Sequence, residues 1–163
     1  MKSAVGVHHV AVSVPDIGKA RKFYIDMLGA EEVSVAEWEP GNEFIDQIVG
    51  LKNCSGKQFM ARLKNIHIEV FEYLTPRAAP QDPRQPVNTF GYTHFALQVD
   101  DIQAVYGRML AAGLTFHTPP RHSGGPATDG ERKLGFISTY GRDFFGNVFE
   151  LLQINEESAI LPL

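Results

Sequence analysis

The chain has 163 residues, 44% of them apolar, a composition that suits one domain or two small modules sharing a core and argues against wholesale disorder. A formal net charge of −4, with no basic cluster longer than Arg132-Lys133, argues against nucleic acid as a partner. Cys54 is the only cysteine, so an intrachain disulfide is excluded. The opening MKSAVGVHHV and the lack of any apolar run of about 18 residues point to a cytoplasmic protein with no membrane partner.

In chain order, the alternating run 5–14 predicts a strand. Pro15-Asp16 then opens a helix with Asp16 as N-cap, whose apolar face is Ile17, Ala20, Phe23, Tyr24, Met27 and Leu28, and Gly29 ends it. Strands are expected at 30–39, 57–64 and 66–73. The stretch between the first two contains Phe44, Ile45, Ile48, Val49 and Leu51 at helical spacing, which suggests a short helix over a cavity. Cys54 falls in a loop there, as a bystander thiol. Residues 1–74 thus form one βαβββ module. The stretch 75–90, with Pro76, Pro80, Pro83 and Pro86, reads as a linker. The order then repeats over 91–154. A strand covers 91–99, and Asp100-Asp101 caps a helix with Ile102, Val105, Tyr106, Met109 and Leu110 on one face, stopping at Gly113. Strands follow at 114–118, 133–140 and 147–154, with a Gly- and Pro-rich loop over 119–130. Residues 155–163 form an apolar tail able to cross to a partner.

The duplication is visible in residues. HVAVSVPD from His9 matches HFALQVDD from His94 at an offset of 85, and Glu69 matches Glu150 at an offset of 81. Modules of about 80 residues bury little alone, so two should pack into one unit. Strand alternation then sorts the side chains. Val10, Val12 and Val14 oppose His9, Ala11 and Ser13, while Phe95, Leu97 and Val99 oppose His94, Ala96 and Gln98. Ile68 and Val70 oppose His67, Glu69, Phe71 and Tyr73, and Phe149 and Leu151 oppose Val148, Glu150 and Leu152. His9, Glu69, His94 and Glu150 therefore all lie on the face away from the helix. A carboxylate inside a buried strand is costly unless a cation or strong donors compensate it. Two such carboxylates, each paired with a strand histidine, point to a four-ligand site for a divalent metal.

HHVAVSVPDIGKARKFYIDMLG, GYTHFALQVDDI and DFFGNVFELLQ together resemble the vicinal oxygen chelate superfamily, which includes glyoxalase I, methylmalonyl-CoA epimerase, extradiol dioxygenases and bleomycin-resistance proteins. The resemblance covers roughly residues 5–154 and is nearest the glyoxalase I and epimerase branch. It implies an α+β fold of two tandem βαβββ modules whose curved mixed sheets enclose a metal-binding cup, with the ligands at His9, Glu69, His94 and Glu150. Ser13 and Tyr73 stand where the bacterial glyoxalase I pattern carries an arginine and an asparagine that serve glutathione, which argues against a glutathione thioester.

Such an N/O ligand set accepts Ni, Co, Zn, Mn or Fe. The expected chemistry is proton transfer alpha to a carbonyl, with the metal stabilising an enediolate or enolate, by a glyoxalase-type lyase or isomerase. Glu150 is the preferred base and Glu69 the second choice. Alternatives are an Fe(II) extradiol-type dioxygenase on His9, His94 and Glu150, and a non-catalytic resistance-type protein that sequesters a small molecule. His67, Phe71, Tyr73, Gln98 and Leu152 are candidate pocket residues for a small-molecule substrate. His8 is expected to face the other way as a structural residue, and His117 and His122 to be solvated beside the Pro/Gly loop. Tyr140 and Arg142 are either structural or anion-binding. A homodimer is expected, and pairing of modules within one chain or between two would build the site equally well.

Overall fold

The computed structural model describes residues 4–123, 135–155 and 158–163. It divides into two compact units, Met1–Gln81 and Asp82–Leu163, so the Pro-rich stretch is shared between them. Among the described residues, no helix is long and apolar enough to cross a membrane.

The first unit contains β1 (His9–Ser13), α1 (Ile17–Arg21), β2 (Glu31–Trp38), α2 (Glu43–Val49), β3 (Ser55–Leu63) and β4 (Ile66–Thr75). Its four-stranded curved sheet has the order β1-β4-β3-β2, with β1 parallel to β4 and the other pairs antiparallel. The second unit contains β5 (His94–Gln98), α3 (Ile102–Ala111), β6 (Thr115–Phe116), β7 (Arg121–His122), β8 (Phe136–Arg142) and β9 (Val148–Ile154). The order is β5-β9-β8-β6, with β7 also on β8 and β5 parallel to β9. Each unit is the expected βαβββ, with α2 inserted in the first and β7 in the second.

The alternation that sorted the faces holds. Ile68 and Val70 on β4, and Phe149 and Leu151 on β9, are fully or almost fully buried on the face that packs against the helix of their own unit. Asp16 and Asp101 cap those helices, their carboxylates accepting from Lys19 N (2.8 Å) and Ala104 N (2.9 Å). The sequence gives no hint of a second device that repeats with them. The Ile17 N–H donates to Glu72 Oε2 on β4 at 3.2 Å, and the Ile102 N–H donates to Gln153 Oε1 on β9 at 3.0 Å. In both units a strand side chain thus satisfies an unpaired donor of the helix start and pins the helix to the sheet.

Several boundaries differ from expectation. β1 and β5 begin at His9 and His94 rather than at residues 5 and 91, and Val5 and Val7 are exposed. The first helix widens into a π-helical segment, Lys22–Met27, where the Leu28 N–H reaches Phe23 O. This turn brings Phe23 and Tyr24, neighbours in sequence, both into the core. The α2 helix forms with Ile45, Val49 and, just beyond it, Leu51 half-buried, yet Phe44 and Ile48 face solvent at 69% and 67% exposure. β7 arises inside the expected loop, whose residues 124–130 lie outside the described residues, as do 133 and 134 of the predicted strand. Cys54 falls in the loop before β3, as expected, but is not exposed there. It is fully buried, accepts from Trp38 Nε1 at 3.3 Å and has its backbone N–H held by Asp46. The hydrogen bond to the Asp46 carboxylate, and then burial, push its thiol above the ordinary range, which leaves it unreactive.

Candidate metal centre

In each unit the parallel strand pair brings one histidine and one glutamate together in the same way. Ala11 lies opposite Glu69 on β1 and β4, and Ala96 lies opposite Glu150 on β5 and β9. Each histidine sits two residues before that alanine, on the same strand face, and the small methyl leaves room for the carboxylate to lean toward the ring. His9 Nε2 is 3.3 Å from Glu69 Oε2, and His94 Nε2 is 3.4 Å from Glu150 Oε2.

These separations fit a shared cation. Two donors each about 2.1 Å from one ion, at angles between right-angled and tetrahedral, lie roughly 3.0–3.4 Å apart. The donor set also fits, because neutral imidazole nitrogen and carboxylate oxygen both suit divalent first-row ions. Each unit by itself supplies one pair, and among the described residues no group of three or more His, Cys, Asp or Glu side chains gathers closely enough to hold a metal ion.

The two carboxylates are held differently. Glu69 Oε1 accepts from Gln58 Nε2 at 3.0 Å, and Gln58 reaches it from β3 because it shares a sheet face with Glu69. Among the described residues Glu150 has no corresponding amide. Its neighbour across the β8–β9 ladder is Tyr140, whose ring lies over His94 at 4.5 Å. Burial, and then the Glu150 charge, push the Tyr140 phenol above its ordinary range.

Around the first pair stands an aromatic wall. Phe71 and Tyr73 stack at 5.6 Å, and Trp38 meets both edge-on at 6.3 and 6.0 Å. Burial comes first, followed by the neighbouring Cys54 and Glu69, in raising the pKa of Tyr73. Leu152 is half-buried on the same face of β9 as Glu150, and Gln98 is half-buried on β5. Gln98 Oε1 accepts from the backbone N–H of Leu163 at 2.8 Å, while the Leu161 and Leu163 side chains of the tail are exposed.

One expectation needs correction. His8 does not face away. Its Nδ1 is 2.9 Å from His9 Nδ1, and its ring stacks on His67 at 4.7 Å. Alternation does not carry to this side chain, which precedes the first residue of β1. Of the two readings of Arg142, its contacts support the structural one, since its guanidinium donates to Gly146 O and Gln85 O at 2.9 and 2.8 Å. It clamps a turn in which Asp143 accepts from the Phe145 and Asn147 backbone and from the Asn147 amide. His117 stands 6.0 Å from the Tyr140 ring, and His122 is 3.5 Å from the Asn155 amide. Sequence reasoning did not single out Gln58, which tethers Glu69, or Trp38 in the aromatic wall. Only Gln58 left a signal, as a polar residue on the same strand face as Glu69.

The family model of the glyoxalase/bleomycin resistance protein/dioxygenase superfamily matches residues 6–151. A 2-epi-5-epi-valiolone epimerase from Actinomyces sp is 29% identical over 142 residues, covering 85% of this chain and 76% of that protein. A glyoxalase family protein from Bacillus cereus has a similar structure, with a TM-score of 0.80 at 19% identity, covering 95% of this chain and 99% of that one. The fosfomycin resistance protein FosX from Listeria monocytogenes, solved in complex with Mn(II) and sulfate, superposes with a TM-score of 0.59 at 18% identity, covering 95% and 97%. With the family match spanning nearly the whole chain and both βαβββ units in place, the protein belongs to the glyoxalase/bleomycin resistance protein/dioxygenase superfamily.

Proposed function

We infer that the protein is a divalent-metal-dependent isomerase, of the epimerase type, that moves a proton on the carbon beside a substrate carbonyl. His9, Glu69, His94 and Glu150 are the metal ligands and Glu150 is the base. The observation that carries this reading is the unequal tethering of the two carboxylates. Glu69 is fixed by Gln58 while its other oxygen faces His9. Among the described residues Glu150 faces His94 with no amide tether of that kind, so it is the carboxylate able to swing from ligand to base.

A bound divalent ion supplies Lewis acidity at the substrate carbonyl and so lowers the barrier to losing the adjacent proton. The chain does the rest. His9 and Glu69 form the rigid half of the ligand set. Glu150 takes the proton, and Tyr140, with its phenol kept protonated by burial and by the neighbouring charge, is a donor beside it. The Trp38, Phe71 and Tyr73 wall sets an apolar boundary near Glu69. An epimerase among the relatives, acting by its name on a ketone, supports this reading, and so does a fold neighbour solved with Mn(II). A dioxygenase triad of His9, His94 and Glu150 would leave unexplained why Gln58 aligns Glu69 on His9.

The test begins with metal content of protein purified without added metal or oxygen, where about one divalent ion per chain is expected. Hydroxylated cyclic ketones, starting with 2-epi-5-epi-valiolone, are then incubated with the enzyme in heavy water and followed by NMR for loss of the alpha C–H signal. Glu150→Gln should keep the metal and lose exchange by roughly 10²–10⁴-fold, the usual contribution of a positioned base. Undiminished exchange in that variant, or wild-type protein that refuses added metal, would overturn the assignment.

A further inference from the structure

The residue immediately before each ligand histidine makes the same contact. His8 Nδ1 lies 2.9 Å from His9 Nδ1, and Thr93 Oγ1 lies 2.9 Å from His94 Nδ1. The two positions are 85 residues apart, the same offset as the histidines they touch. Adjacent residues within a strand point to opposite faces and cannot meet this way. Both contacts exist because β1 and β5 begin at the histidine itself, leaving the preceding residue free to turn its side chain toward the ring.

We propose that His8 and Thr93 are positioning residues that fix the tautomer and ring orientation of His9 and His94, so that each presents a bare Nε2 beside its glutamate. A ring that binds metal through Nε2 carries its proton on Nδ1, and that proton needs an acceptor. Thr93 offers a hydroxyl oxygen and His8 an imidazole lone pair. Neither residue is itself a ligand, and both are exposed. His8 is held in place by stacking on His67, with rings 9° from parallel, and by the His67 N–H donating to its backbone carbonyl at 3.2 Å. His94 is backed by the Tyr140 ring. With Nδ1 engaged in both rings, and the His94 ring also backed by Tyr140, each imidazole turns its Nε2 toward Glu69 or Glu150. The two acceptors are chemically unlike, which distinguishes a shared geometric role from mere sequence repetition.

This rests on the metal-site reading, and the experiment separates the two. Zn²⁺ affinity is measured by chelator competition for wild type and for His9→Ala, His8→Phe, His8→Asn, Thr93→Val and Thr93→Ser. Circular dichroism confirms the fold of each. His8→Phe keeps a ring to stack on His67 and removes the acceptor, and Thr93→Val keeps the shape and removes the hydroxyl. Each should weaken Zn²⁺ binding by about 10–100-fold, the usual cost of losing a hydrogen-bond partner of a metal-bound histidine. Thr93→Ser and His8→Asn, which restore an acceptor, should recover most of it. Wild-type affinity in His8→Phe and Thr93→Val, with binding lost in His9→Ala, would overturn the proposal and leave the metal site standing. Wild type that binds no more tightly than His9→Ala would overturn both.

Discussion

Two glycine-to-alanine changes should move stability in opposite directions. Gly56 lies on β3 between Trp38 and Tyr73 in the ladder. A Cβ there would stand 2.7 Å from the Glu72 carbonyl oxygen and 2.7 and 2.9 Å from Trp38 Cζ2 and Cη2. The carbonyl belongs to the paired backbone and cannot retreat without opening the β3–β4 ladder. The indole cannot retreat either, being hydrogen-bonded to Cys54 and flanked by Phe71 and Tyr73. Overpacking of this kind costs about 1–3 kcal/mol, and contact with immobile groups on two sides places Gly56→Ala at the upper end. For a chain of this size, about 3 kcal/mol corresponds to a drop in Tm of roughly 6–12 °C. Gly107, by contrast, is inside α3, and a Cβ there meets nothing within 4 Å. Gly107→Ala removes backbone freedom from the unfolded chain and should stabilise by about 0.5–1 kcal/mol. Thermal and urea unfolding of both variants beside wild type reads the difference. A Gly56→Ala protein as stable as wild type would mean that Trp38 is not confined as described, and the aromatic wall beside Glu69 would lose its rigidity with it.

The caps and the Arg142 turn give further tests. Asp16→Ala and Asp101→Ala each remove the acceptor of one helix-start N–H, and each should cost about 1 kcal/mol in urea unfolding; a cost near zero at both would show that Glu72 and Gln153 alone secure the helices. Burial raises the Asp143 carboxyl above its ordinary 3.8 despite the hydrogen bonds that oppose it. A raised folded-state pKa means that the folded protein binds more protons than the unfolded chain between 3.8 and that higher value, so this group's contribution is full below 3.8 and declines as pH rises through the window. The stability advantage of wild type over Asp143→Asn should therefore shrink as pH is raised from about 3 to 7, and an advantage that grows over that range would refute the burial argument.

How far the residues themselves announced this arrangement depended on the kind of regularity involved. Strand alternation has a period of two, so placing His9, Glu69, His94 and Glu150 on the sheet face away from the helix needed only parity within each strand. That parity also explains the error over His8. Alternation was carried one residue past the start of β1, to a position whose carbonyl still accepts from His67 N but whose side chain turns to the His9 ring. The π-helical segment was illegible for a different reason. Phe23 and Tyr24 are compatible with a regular helix, and only packing shows both rings buried. The exposed face of α2 has the same origin, because periodicity reports that a stripe exists and not what covers it.

The duplication carries the argument one step further. Matching identical residues between the two units finds the histidines, the glutamates, Ala11 with Ala96 and the capping Asp16 with Asp101, but it misses other contacts that the units share. Yet Glu72 and Gln153, which differ in charge, both accept from the first N–H of their unit's helix and share the offset of 81 found for Glu69 and Glu150. His8 and Thr93, which differ in almost everything, both contact Nδ1 of the histidine that follows. At these places the two units share a polar contact at a matching position in each unit and not a residue type. A comparison by identity reads such positions as divergent, whereas one that asks which lone pair faces which donor finds them equivalent. The exceptions then become the informative ones. Gln58 has its donor on Glu69, but the residue at the matching distance from Glu150, two places along β8 from Tyr140, is Ser138, whose short side chain makes no such bond among the described residues. The units agree wherever the fold needs the contact, and they part at the carboxylate assigned to move.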